Sequence, residues 1–334
     1  MRVNSFDKIF NNIRFKKALD FPPPIFPFWV QIEVTNHCNL RCIFCTQLSM
    51  RRKKGYMTMD LYKKLIDEMK IYNSYPQLCG TGEPFLHPKI NDFIKYTKKQ
   101  DVPLMITTNG LLLNDKHMHN IIDSEVDWIM FSMQGTTKER YCVLRNTDKY
   151  DVLCSNIKKL VELRGDKDKP FITLSTTITS DETNDMVQNF YNQWTPIVER
   201  IQVGNTNLSW CNLDAVNYTN SEVMKLLDFK KYESINRTLR VCADIYQKPL
   251  VNWDGKVSAC CNDYDDFLTI GDLNEDSLYN IWNKSERLNF IRWAIKNNYH
   301  NMFGMCRTCY SCYTYFPHNE EKMNINYKFK KEIK

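Results

Sequence analysis

The sequence predicts an α/β fold built on a parallel sheet, followed by a small cysteine-rich C-terminal module. Two observations lead there. Up to about residue 225, six short apolar strand patterns alternate with amphipathic helix patterns, a rhythm that packs as parallel strands with helical crossovers. Beyond that point the rhythm stops, and residues 240–315 hold six cysteines.

The elements follow in chain order. Residues 1–28 read as a helical lead-in, a short amphipathic helix ending at Pro22, Pro23 and Pro24. The first strand is expected over residues 29–34, and further strands over 77–80, 103–107, 128–132, 171–177 and 200–203, each short and apolar. Helices are expected over 59–71, 90–100, 115–124, 152–164 and 181–194, with apolar residues at three- and four-residue steps such as Leu61, Leu65 and Met69. Six βα units are too few to close an eight-fold barrel. They occupy a domain expected at residues 29–225. A second domain is expected at 235–315, with short strand-like pieces around 250–260 and one helix near 278–297. Residues 316–334 read as a solvated tail.

Composition narrows the function classes. A chain of 334 residues with 43% hydrophobic content supports one large domain plus a small one. The formal net charge of +6 is mild, so nucleic acid is not indicated as a partner. No window reaches the apolar length of a membrane span, so no membrane partner is expected. The N-terminus carries charges where a secretion signal needs its apolar stretch, and the chain reads as cytoplasmic. Thirteen cysteines in a cytosolic protein point to metal ligation rather than a disulfide scaffold.

The strongest motif is Cys38-x3-Cys42-x2-Cys45, in the loop leaving the first strand. Three thiolates so close in sequence wrap only a very small inorganic object, three corners of one iron–sulfur cube. A complete cubane takes four cysteines, and the next one here is Cys79. One iron is thereby left without a protein ligand, and an open metal position is where chemistry happens. The alternatives are a partial zinc site or three incidental buried thiols, but structural zinc favours paired C-x2-C units converging from two places.

This motif, with Phe44 between the second and third cysteines, resembles the signature of the radical S-adenosylmethionine (SAM) superfamily. The resemblance implies a partial (β/α)6 TIM-like barrel and a 4Fe–4S cluster on three cysteines, with SAM chelated at the open iron. It also implies reductive cleavage of SAM to a 5′-deoxyadenosyl radical that abstracts hydrogen from a substrate C–H, with an electron donor such as flavodoxin or ferredoxin as partner.

Further motifs match the family residue by residue. Gly80, Thr81, Gly82 and Glu83 after the second strand resemble the Gly-Gly-Glu motif that grips the amino group of SAM, with Thr81 in place of the usual second residue. Glycines let a backbone approach a ligand closely, and a carboxylate beside them binds an ammonium; a plain turn is the alternative. Thr108 and Asn109 end the third strand, and Ser132 and Gln134 end the fourth, where many members have Ser-x-Asp. Short polar side chains at strand ends hydrogen-bond ribose hydroxyls or a carboxylate, or serve ordinary turns. Arg145 also follows the family pattern, a surface arginine being the alternative. Arg51, Arg52, Lys53 and Lys54 read as a solvated charge run. His37 either tunes the cluster's surroundings or fills the loop.

Downstream lie Cys242, Gly255-x4-Cys260, Cys261 and Cys306-x2-Cys309-x2-Cys312. Two pieces separated by a helix converging on one metal suit a small metal-folded module, with zinc as the structural alternative. Together with the core they resemble the SPASM/twitch extension. That resemblance implies one auxiliary 4Fe–4S cluster on Cys242, Cys260, Cys306 and Cys309; Cys261 can replace Cys260, and Cys312 can also ligate. Cys79, Cys142, Cys154 and Cys211 read as packing residues.

An auxiliary cluster offers an outlet for an electron from a substrate radical, making the net reaction an oxidation. The first expectation is a small polar substrate, sugar- or cyclitol-like, as in twitch-type dehydrogenases. The second is a peptide, as in SPASM-type maturases, although only about 28 residues precede the first strand, too few for the leader-binding domain many of them carry. A non-catalytic zinc or RNA-associated protein is the third. No catalytic acid or base is assignable from sequence.

Overall fold

A computed structural model describes residues 2–12, 22–204, 220–227, 237–239, 242–307 and 313–315. The expected alternation is present. Strands β1 (Trp29–Ile32), β2 (Tyr75–Leu78), β3 (Met105–Thr108), β4 (Trp128–Ser132), β5 (Phe171–Thr177) and β6 (Arg200–Gly204) lie side by side in chain order, each pair parallel. Their helices are α1 (Asp7–Asn11), α2 (Met59–Ile71), α3 (Ile90–Lys99), α4 (Asp115–Asp123), α5 (Lys138–Arg145), α6 (Tyr150–Arg164), α7 (Asn184–Trp194) and α8 (Ser221–Leu227). Strands buried on both faces need near-continuous apolar runs, and Trp128, Ile129 and Phe131 of β4 are all buried. Helix α2 shows the matching helical logic. Thr58 caps it by accepting from the Leu61 amide at 3.3 Å, and Leu61, Leu65 and Met69 form its buried stripe.

Helix α1 packs under the sheet. Its Ile9 and the preceding Phe6 join Trp29, Met105, Trp128 and Phe171, the first residues of four strands, in one apolar cluster. This seals the amino ends of the strands and leaves the carboxyl ends to the site.

The cysteine-rich module continues the barrel's sheet rather than standing apart from it. Strand β7 (Arg237–Leu239) pairs antiparallel with β11 (Tyr313–Tyr315). Strand β8 (Leu250–Val251) adds parallel to the free edge of β1, with Gln31 opposite Leu250, and β9 (Lys256–Ser258) and β10 (Thr269–Asp272) extend that edge antiparallel. The result is one nine-stranded sheet in the order β10-β9-β8-β1-β2-β3-β4-β5-β6. A single apolar core runs from Phe93 and Ile129 through Val251 to Trp282. The helix expected near 278–297 is two, α9 (Leu278–Lys284) and α10 (Glu286–Lys296), because Ser285 takes an extended conformation and caps the second by accepting from the Leu288 amide at 3.3 Å. A one-turn helix, α11 (Gly304–Arg307), carries Cys306. No described helix is long and apolar enough to cross a membrane.

Candidate functional site

The loop carrying Cys38, Cys42 and Cys45 leaves the carboxyl end of β1 and is tied shut at its base. Buried Asn36 donates to the Lys53 carbonyl at 2.8 Å and accepts from the Gly55 amide at 2.9 Å, while the Thr35 hydroxyl donates to the Gly55 carbonyl. Inside the loop the Cys45 amide bonds the Cys42 carbonyl at 3.0 Å, and the Ile43 amide reaches the Leu144 carbonyl at the end of α5 at 3.1 Å. Cys42 is buried with Leu40, Phe44, Leu144 and Val223. His37 stacks on Tyr56, ring centroids 4.7 Å apart.

Cys38 and Cys45 are expensive to ionise. Burial pushes Cys38 up to about 12, with Glu83, Cys42 and Cys45 adding repulsion. Burial and the Cys42 charge push Cys45 up to about 11. A cationic metal is what reverses such a shift. Among the described residues no three His, Cys, Asp or Glu side chains converge on a single ion. A cubane takes one thiolate per iron, and the three thiols of this loop suit three of its irons.

The segment after β2 lies backbone to backbone against this loop. The Glu83 amide donates to the His37 carbonyl at 2.8 Å. A Cβ on Gly82 would stand 2.1 Å from the Thr35 carbonyl oxygen, so only glycine permits the approach. Gly80 has φ 138°, a conformation that L side chains rarely adopt. Glu83 is buried. Its carboxylate accepts from the Thr108 hydroxyl and the Asn109 amide, both at 2.7 Å, and from the Phe85 amide at 3.2 Å. Burial raises its pKa, opposed by these donors and by Arg145. The Asn109 side chain donates to Asn39 in the cysteine loop at 2.8 Å. Sequence-selected residues from three strand ends therefore meet.

Arg145 joins them from α5, a helix that the sequence reading did not anticipate. Thr137 caps it by accepting from the Arg140 amide, and Asn146 ends it at φ 53°. Arg145 is buried rather than on the surface. One guanidinium nitrogen lies 3.5 Å from the Cys42 sulfur, another donates to the Ser132 carbonyl, and the buried Nε has no acceptor among the described residues. An orphaned cationic donor beside a thiol loop suits a ligand carboxylate. Gln134 differs: its side-chain oxygen accepts from Thr177 of β5, and no hydrogen bond links it to the Glu83 group among the described residues.

Two site residues have no sequence signal. Glu33 is fully buried, and Arg52 grips it through both terminal nitrogens, each at 2.9 Å. Arg51, Arg52, Lys53 and Lys54 are therefore not a uniformly solvated run: the Arg52 side chain is 5% exposed and the Arg51 side chain 79%.

In the module, Cys242 and Cys306 are buried and Cys260 half-buried. The Cys260 thiol is held well above its ordinary pKa by the hydrogen bond it donates to Cys261, by burial and by the neighbouring Cys261 and Cys242. Cys261 donates to Asp244 at 3.6 Å. Asp263 shapes the following turn, accepting from the Ser258 hydroxyl and the Leu268 amide, both at 2.8 Å. Cys309, Cys312 and Cys211 lie outside the described residues. Cys142 and Cys154 pack against the core as expected. Cys79 lies within electrostatic reach of Cys261 and Lys248.

The fold and the site define the class. Residues 32–193 match the radical SAM superfamily, and residues 242–310 match the iron–sulfur cluster-binding domain SPASM. The chain thus carries a radical SAM domain followed by a SPASM domain; the first implies a 4Fe–4S cluster with SAM, the second auxiliary iron–sulfur clusters. It is 26% identical over 312 residues to the tungsten-containing aldehyde ferredoxin oxidoreductase cofactor-modifying protein of Pyrococcus furiosus, spanning 84% of this chain and 86% of that one. It is 26% identical over 147 residues to mycofactocin maturase MftC of Mycobacterium tuberculosis, 44% of this chain and 36% of that protein. Among solved structures it resembles Streptococcus suis SuiB bound to precursor peptide SuiA (TM-score 0.61, 15% identity, 84% of this chain and 69% of that one). It also resembles BtrN in complex with AdoMet and 2-DOIA (TM-score 0.54, 16% identity, 84% and 92%). At these identities the structural likeness is one of fold.

Proposed function

We propose that this chain is a cytosolic radical SAM oxidoreductase acting in the maturation of a peptide or a cofactor. The observation that carries the reading is the meeting of Cys38, Cys42 and Cys45 with Glu83, Thr108, Asn109 and Arg145 at the carboxyl ends of β1 to β4. When bound, the cluster and SAM supply a carbon radical able to take hydrogen from a substrate C–H. Cys38, Cys42 and Cys45 hold three irons. Gly80, Thr81, Gly82 and Glu83 receive the amino group of SAM, which brings a cation to a buried carboxylate that has no ion pair of its own among the described residues. The free Nε of Arg145 takes an anionic oxygen of the same ligand. Thr108, Asn109, Ser132 and Gln134 supply polar groups for the ribose. Arg145 also keeps positive charge and an N–H donor on Cys42, which favours the reduced cluster. Cys242, Cys260, Cys306 and Cys309 hold the auxiliary cluster, with flavodoxin or ferredoxin as electron donor.

The relative matched along most of both chains is a cofactor-modifying protein by name, and another is a maturase. That supports a peptide- or cofactor-directed reaction over the sugar- or cyclitol-like substrate. Anaerobic reconstitution tests the chemistry: about eight irons per chain fit two 4Fe–4S clusters, and SAM with a strong reductant should yield 5′-deoxyadenosine. One zinc, or no deoxyadenosine, overturns the proposal. Co-expression with candidate peptides, read by a mass loss of two hydrogens, tests the substrate class.

A further inference from the structure

The Glu33–Arg52 pair touches two separate parts of the molecule. Toward the barrel, the Glu33 carboxylate accepts from the Thr81 amide at 3.1 Å and from the Thr81 hydroxyl. Its Cβ also fills the space beside Gly80. Toward the module, Arg52 Nε donates to the Tyr264 carbonyl at 2.8 Å and lies 3.7 Å from Asp266. The backbone amides of Arg51 and Arg52 both donate to Asp265 at 2.8 Å. Asp266 is itself fixed by Asn252 and Lys256, each at 2.7 Å. Residues 264–266 follow Cys260 and Cys261 through the turn that Asp263 organises. An unbroken line of short polar contacts thus runs from the auxiliary-cysteine turn through Arg52 and Glu33 to the Gly80–Glu83 segment.

We propose that Glu33 and Arg52 are positioning residues that couple the auxiliary-cluster turn to the SAM-gripping segment, so that loading the module tightens SAM binding. This rests on the reading that residues 80–83 receive SAM and that Cys260 ligates the auxiliary cluster. The physical ground is the cost of a broken buried ion pair. With Glu33 wholly buried, Arg52 cannot leave without stranding a charge, and a shift of residues 264–266 must be passed on to Glu33 and Thr81. The bidentate fork makes the contact directional, which a lysine cannot reproduce. Coupling through such a line is reciprocal between the two sites.

The test measures SAM affinity of the fully reconstituted chain by anaerobic equilibrium dialysis, with iron content and thermal midpoint recorded alongside. Arg52→Lys keeps the charge but loses the fork, and SAM affinity should fall about tenfold, within the usual range of coupling between sites, at unchanged iron content. Cys260→Ser, which removes the auxiliary cluster, should weaken SAM binding to a similar degree in the wild-type background. In Arg52→Lys it should add nothing further, because the line is already cut. Affinity within twofold of wild type in Arg52→Lys, or effects of the two substitutions that simply add, overturns the coupling. Should Arg52→Lys lose iron, Asp265→Asn carries the same test from the module side and should weaken SAM binding by a few fold. A wild-type chain with full iron that binds no SAM overturns the underlying site assignment instead.

Discussion

Glu83 holds a carboxyl group where charge is unwelcome, and its stability cost and its ligand-binding role pull in opposite directions. Burial raises its folded pKa, so the ionised form is disfavoured in the folded, ligand-free chain. Its favourable contribution is fully present below the unfolded carboxylate pKa and is lost as pH rises through the raised folded value. Urea midpoints of wild type relative to Glu83→Gln should therefore improve on acidification from neutral pH. At neutral pH Glu83→Gln should be no less stable, yet bind SAM at least tenfold more weakly, about 1.4 kcal/mol. Equal SAM affinity in the two proteins sinks the assignment. Arg145→Gln removes a cation and an N–H donor from Cys42, so the cluster's reduction potential should move negative in an anaerobic EPR titration. The cysteine run was legible in the sequence because ligand spacing is local. The Glu33–Arg52 pair was not: nothing between residues 33 and 52 marks one arginine of a basic run as buried, and only the folded chain brings Tyr264 and Asp265 against it.

Strands are where local pattern served best. β4 and β5 coincide with the expected spans because Trp128, Ile129 and Phe131 of one and Phe171, Ile172 and Leu174 of the other are buried on both faces. Helix α5 escaped notice because its eight residues bury only Tyr141, Leu144 and Arg145, too few for a periodic stripe. The break at Ser285 was equally hidden: a serine inside an apolar period reads as tolerated until its hydroxyl caps the following helix. The loop after β2 makes the sharpest demand of any connection. Gly82→Ala would force a methyl against the Thr35 and His37 carbonyls. It should cost about 1–3 kcal/mol and lift the loop from the cysteine segment, lowering both thermal midpoint and SAM affinity. Wild-type values for both would show that the loop relaxes freely.

Barrel and module share one nine-stranded sheet, which the change of rhythm near residue 225 did not foretell because pairing between distant strands leaves no local mark. The amides of Gln31 and Glu33 bond the Pro249 and Val251 carbonyls at 3.0 and 2.8 Å. A chain ending at residue 227 would bare that edge of β1, an apolar strand with unpaired backbone groups, and should aggregate on expression. A soluble monomer retaining about four irons would contradict this. The same pairing has a consequence for biogenesis. Gln31 and its partner Leu250 are roughly 220 residues apart in sequence. At about 5–20 residues per second, the first strand waits some 10–40 s on the ribosome for its neighbour. Through that interval the nascent cysteine loop hangs beside an incomplete sheet, accessible to whatever machinery delivers iron and sulfide before the last third of the chain emerges to close over it.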